Sequence, residues 1–106
     1  MSINNREHTR FNFDPKQWVK ILRPHQKAED FLMYRLLDIS KGGISFIINK
    51  VGEFKRNDEF YILEVEGRIL EQPIRARVKY VRGLDEFGVD YKVGTEFVKK
   101  YLPIKV

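Results

Sequence analysis

The strongest constraint on this chain is a period-two pattern in its last third. Ile74, Ala76, Val78 and Tyr80 alternate with Arg75, Arg77, Lys79 and Val81, and beyond Arg82-Gly83-Leu84-Asp85-Glu86 the residues Phe87, Val89, Tyr91 and Val93 alternate with Gly88, Asp90 and Lys92. Successive side chains point to opposite faces only in a strand, so two such runs around a Gly/Asp loop predict a hairpin with one buried face. Pro73 is placed at the start of the first of these strands, where no ladder donor is lost.

Earlier segments fit the same sheet. Gln17 to Leu22 is rich in β-formers and stopped by Arg23-Pro24; Phe60 to Val65 is a strand by composition. Phe31 to Ile39 is long enough for either helix or strand by periodicity. The Gly42-Gly43 pair behind it, followed by Ile44 to Ile48, favours two strands meeting at a tight turn or bulge. Trp18, Phe46, Tyr61 and Tyr80 at strand spacing are read as core. Thr95 caps a short terminal helix over Glu96 to Leu102, with acid in its first turn, lysines near its end and Pro103 as its limit. The expected fold is all-β: a six-stranded antiparallel, split β-barrel with a short C-terminal α-helix. Residues 1–15 form an N-terminal arm that is mobile unless held, and residues 16–106 form the barrel and helix.

At 106 residues the chain encloses one core and has no room for a second, active-site domain. A formal charge of +5 favours a phosphate-bearing partner, although the basic residues are spread along the chain. Cysteine is absent, which excludes disulfides and thiolate metal sites. With no apolar leader and no long apolar run, the expectation is a cytoplasmic protein without membrane insertion. The two histidines lack metal spacing with each other and Ser40 has no recognisable base partner, so no enzyme activity, cofactor or metal is expected.

Two short motifs remain. Arg6-Glu7-His8-Thr9-Arg10 gives Arg-x-x-x-Arg, and Asp38-Ile39-Ser40-Lys41-Gly42-Gly43 gives Asp-x-Ser-x-x-Gly. Alone, the arginines are ordinarily solvated charges and the second motif an Asx-type turn. In this order, with Phe87-Gly88-Val89-Asp90-Tyr91 on a late strand, the chain resembles the PilZ domain, the bacterial receptor module for cyclic di-GMP. That resemblance covers essentially the whole chain. It implies that Arg6 and Arg10 clamp the ligand from the arm while Asp38, Ser40 and Gly43 form the floor beneath them.

The chemistry is consistent with those roles. A guanidinium fork matches phosphate oxygens and the O6/N7 edge of guanine. A carboxylate such as Asp38 can accept from guanine N1–H and N2–H, Ser40 offers a hydroxyl to a phosphate or a neighbouring backbone group, and Gly43 permits close approach. The implied protein is a bacterial receptor of motility, pilus or secretion systems whose output is contact with an effector protein in trans. Two other readings share the sequence: an adaptor of the same fold that has lost its ligand, and a small barrel that binds nucleic acid through Arg75, Arg77 and Lys79, the less favoured because a solvated outer face explains those charges as well. Where the family often has a Pro-Gly-Asp-like turn, this chain has Arg56-Asn57-Asp58, with asparagine expected to take the left-handed conformation.

Overall fold

A computed structural model describes residues 17–84 and 89–98. Six strands form a closed antiparallel barrel: β1 (Trp18–Leu22), β2 (Leu32–Ile39), β3 (Ile44–Ile48), β4 (Glu59–Val65), β5 (Arg68–Gly83) and β6 (Tyr91–Phe97), with a 3-10 turn at Ala28–Asp30 between β1 and β2. Around the barrel the order is β1, β2, β3, β6, β5, β4, and β4 pairs back onto β1. Closure removes the exposed edges that a sheet of this size would otherwise carry. Among the described residues no helix is long and apolar enough to cross a membrane.

The core is the inward set of the alternating strands. Val19, Ile21, Ile44, Phe46, Ile48, Phe60, Ile62, Ala76, Val78 and Val93 are all at most 2% exposed. Phe54, from the β3–β4 connection, joins them and packs edge-on against Phe46, Phe60 and Tyr34. Tyr34 donates to the Glu53 carboxylate, while the Arg23 guanidinium donates to the Glu53 carbonyl and lies 4.2 Å from the Phe54 ring centroid. Burial, reinforced by the bond to Glu53, pushes the Tyr34 hydroxyl well above the ordinary tyrosine range. These contacts pin the connection across one end of the barrel.

Four sequence expectations need correction. The terminal helix does not begin at Thr95: Thr95, Glu96 and Phe97 belong to β6. A cap would need the Thr95 hydroxyl to accept from Phe97 or Val98 N–H, but those amides donate to Gly42 O at 2.7 Å and Arg75 O at 2.8 Å. The hydroxyl is itself committed, donating to Ile44 O at 2.9 Å and accepting from Ile44 N–H at 3.3 Å. The remainder of the expected helix lies outside the described residues.

β5 begins at Arg68, ahead of Pro73. Glu66 (φ 54°) and Gly67 (φ 81°) make a two-residue turn closed by the Val65/Arg68 pair, the primed hairpin geometry that matches strand twist. Pro73 sits mid-strand, where the β4–β5 register jumps from Ile62/Ile74 to Glu64/Ile69 and no ladder partner is required of it. β6 starts at Tyr91, with Val89 and Asp90 outside the strand and 85–88 outside the described residues. Tyr61 and Tyr80, read as core, are 37% and 36% exposed, and Trp18 is half-buried; of the four aromatics only Phe46 is fully buried. Asn57 does take the left-handed conformation, at φ 77°.

Candidate functional site

Two bulges build the outer face around Asp38. On β2 the register passes from Leu36/Phe46 to Asp38/Ser45, so two residues of β2 oppose one step of β3. Leu36 packs on the core, and strict alternation would send Asp38 inward with it. The extra residue, Leu37, turns the carboxylate outward instead. On β5 the register passes from Val78/Thr95 to Tyr80/Gly94, which leaves Lys79 over and turns Tyr80 outward in the same way. Both re-aimed residues fall in one cross-strand row, Asp38–Ser45–Gly94–Tyr80.

The middle of that row is small. A Cβ on Gly94 would stand 2.3 Å from the Tyr80 ring, so the glycine lets the ring lie flat on the sheet. The Arg82 guanidinium lies 4.8 Å from the Tyr80 centroid. Ser45 is 3% exposed and its hydroxyl has no hydrogen-bond partner among the described residues. Asp38 is open to solvent, and its one ion pair among the described residues is with Lys92 Nζ at 3.8 Å.

Beyond Asp38 the chain turns through Ser40 to Gly43. Ser40 N–H donates to Gly43 O at 2.9 Å, the Ser40 hydroxyl donates to the same oxygen at 3.3 Å, and Gly42 N–H donates to that hydroxyl at 3.3 Å. Gly43 has a structural necessity: a Cβ there would lie 1.9 Å from the Thr95 carbonyl oxygen. The close approach that glycine permits at this position is thus by the β6 backbone. Gly42, with nothing within 4 Å of a Cβ, is under no such demand.

Of the five expected site residues, the structure brings Ser40 and Gly43 into one hydrogen-bonded turn and sets Asp38 two residues away on the outer face. Arg6 and Arg10 lie outside the described residues. Ser40, with Ile39 and Phe97, also borders an apolar cavity of about 240 Å³ at the barrel mouth, under the β4–β5 hairpin. A wider, more polar cleft of about 310 Å³ lies between β1, β2 and β3 and includes Trp18, Arg35, Ile47 and Asp90.

Lys92 is the neighbour that sequence reasoning missed. It stood in the polar phase of the late alternation, but only the β2–β3 and β3–β6 registers bring it beside Asp38. Of the basic strand of the nucleic-acid reading, Arg75 and Arg77 are already paired with carboxylates. Arg75 Nε donates to Glu59 at 2.8 Å, Arg77 bridges Glu59 at 3.2 Å and Glu96 at 3.4 Å, and the Arg75 contact, more than that of Arg77, holds the Glu59 carboxyl below its usual range. Tyr61 is exposed opposite Arg75, yet the guanidinium beside it is taken.

Comparison with curated proteins and with solved structures returned no match. The family model of the PilZ domain matches residues 4–101, a span that contains the six strands, the Asp38 to Gly43 turn and both arginines of the Arg-x-x-x-Arg motif. The chain belongs to the PilZ domain family.

Proposed function

We propose that the chain is a receptor for cyclic di-GMP that passes the signal on through contact with a partner protein. The observation that carries this reading is the placement of Asp38. A one-residue bulge holds its carboxylate on the open face at the head of the Ser40–Gly43 turn, in a chain whose family match takes in Arg6 and Arg10. An exposed carboxylate fits the paired N1–H and N2–H donors of guanine, and two arginines supply the fork for phosphate or for the O6/N7 edge. The Ser40 hydroxyl, which donates to Gly43 O and accepts from Gly42 N–H over long bonds, keeps a second acceptor lone pair for the ligand.

The signalling step follows from position. Arg6 and Arg10 precede the barrel while Asp38 is part of it, so one ligand held by both ties the arm to the barrel wall. A partner that prefers the tied arrangement is favoured by the differential affinity, and no change inside the barrel is required.

Calorimetric titration of the full chain with cyclic di-GMP at moderate salt tests the reading. Saturable heat, a rise in melting temperature with ligand, and at least about tenfold weaker binding by Arg10→Ala and by Asp38→Ala are expected, the size of a lost charge-assisted contact. Absence of heat together with an unmoved melting temperature at high ligand would leave the adaptor reading in its place.

A further inference from the structure

Next to the Asp38 row runs a second cross-strand row on the same outer face. The registers Trp18/Arg35, Arg35/Ile47, Ile47/Lys92 and Lys92/Arg82 align five residues over β1, β2, β3, β6 and β5. Three are cations. Neighbouring strands lie about 4.8 Å apart, so Lys92 and Arg82 are immediate neighbours, and Arg35 stands about 10 Å from Lys92 on the other side.

This row differs from the paired arginines of β5. Among the described residues Asp38 is the one carboxylate in ion-pair contact with any of the three, and it is the residue assigned to guanine. Lys92 and Arg82 are directly opposite one another, a like-charge cross-strand pair that disfavours the sheet. The Arg82 guanidinium is laid on the Tyr80 ring in place of an acid. Ile47 between Arg35 and Lys92 keeps the row low, and the unpartnered Ser45 hydroxyl lies one row away. A compact anion seated here relieves the repulsion and takes up the charge.

We propose that Lys92, with Arg82 and Arg35 beside it, forms a phosphate-binding track on the barrel wall for the nucleotide whose guanine Asp38 reads. The ligand then rests on the outer face of β2, β3, β6 and β5 as well as on the turn. Beside its 3.8 Å contact with Asp38, Lys92 has donors left to face a phosphodiester. This inference rests on the receptor reading and adds to it a division of labour, with Asp38 selecting the base and the row binding charge irrespective of base.

Cyclic di-GMP and cyclic di-AMP, equal in charge and different in base, separate the two roles in calorimetry on the full chain. Lys92→Met and Arg82→Met are expected to weaken cyclic di-GMP about tenfold or more without lowering the melting temperature of the free protein, because each removes one of two facing like charges. Any cyclic di-AMP affinity falls by the same factor in Lys92→Met, whereas Asp38→Ala reduces the preference for guanine. Lys92→Arg restores cyclic di-GMP binding to within about threefold of the parent. If the parent and Arg10→Ala differ as the receptor reading requires while Lys92→Met and Arg82→Met bind like the parent, the track is overturned and the receptor stands. A Lys92→Met defect that Lys92→Arg leaves unrepaired overturns it too. So does an oligonucleotide that binds the parent more tightly than either dinucleotide and is weakened by Lys92→Met. A parent that binds neither dinucleotide overturns both readings.

Discussion

A Cβ on Gly43 would lie 1.9 Å from the carbonyl oxygen of Thr95, so the signature turn and β6 are packed backbone to backbone. Phe97 N–H seals the contact by donating to Gly42 O at 2.7 Å. Neither side can yield by rotating a side chain. Gly43→Ala should therefore cost at least the upper end of the roughly 1–3 kcal/mol of an overpacked site. Gly42→Ala, with open space around it, should stay within about 0.5 kcal/mol of the parent. Thermal melts of the pair check this: for a domain of this size the first should fall by about 10 °C or more and the second should barely move.

Gly94 presents the softer version of the same problem. Its Cβ would meet the Tyr80 ring at 2.3 Å, but that ring is a half-exposed side chain and can swing away. Gly94→Ala should destabilise less than Gly43→Ala, and Tyr80→Ala in the same chain should recover much of the loss. A double-mutant cycle in urea should return a coupling of about 0.5–3 kcal/mol. Additive losses would show that the ring does not rest on Gly94.

The Thr95 hydroxyl bonds both backbone groups of Ile44 where β3 and β6 separate. Thr95→Val keeps the shape and leaves a buried N–H and C=O without that partner, at a cost of about 1–3 kcal/mol. Thr95→Ser retains the hydroxyl and should lose less than half as much. Chemical denaturation midpoints distinguish them.

Glu59, clasped by Arg75 and Arg77, has its carboxyl below the usual glutamate range. A group whose folded value is depressed contributes stability at pH above its unfolded value, about 4.3 for glutamate, and loses it as pH falls from there through the folded value. Urea midpoints measured from pH 7 to pH 3 should fall less steeply for Glu59→Gln than for the parent below about pH 5. The difference should shrink in high salt, since these side chains are partly open to water.

Alternation alone located the β5–β6 hairpin, because Ala76, Val78 and Val93 obey period two and are buried. It failed at Tyr80 for the same reason it worked elsewhere: Lys79 adds one residue, and everything beyond it changes face. Thr95 read as a cap because its local sequence suits one, but the amides a cap would bind are drawn to Gly42 and Arg75 by tertiary pairing. Glu66-Gly67 as a turn and Phe54 as a core residue carried weak local signals. Both are fixed by what lies opposite them.

Of the candidate site, Asp38, Ser40 and Gly43 were legible as a contiguous motif. Lys92 was not, since its proximity to Asp38 exists only once β2, β3 and β6 are placed in register. Arg6 and Arg10 were legible as a motif of their own.

The bulge at Leu37 also decides what a change in chain length would do to this face. Deleting this single residue would leave Leu36 opposite Phe46 and Asp38 opposite Ser45 in an unbroken ladder, with the carboxylate still outward. The letters from Asp38 to Gly43 would stand in the same order on the same face. The aim of Asp38 therefore depends on how the ladder counts Leu37: ironing the bulge flat with Leu37 kept, rather than losing it, is what would turn the carboxylate among the core residues around Leu36.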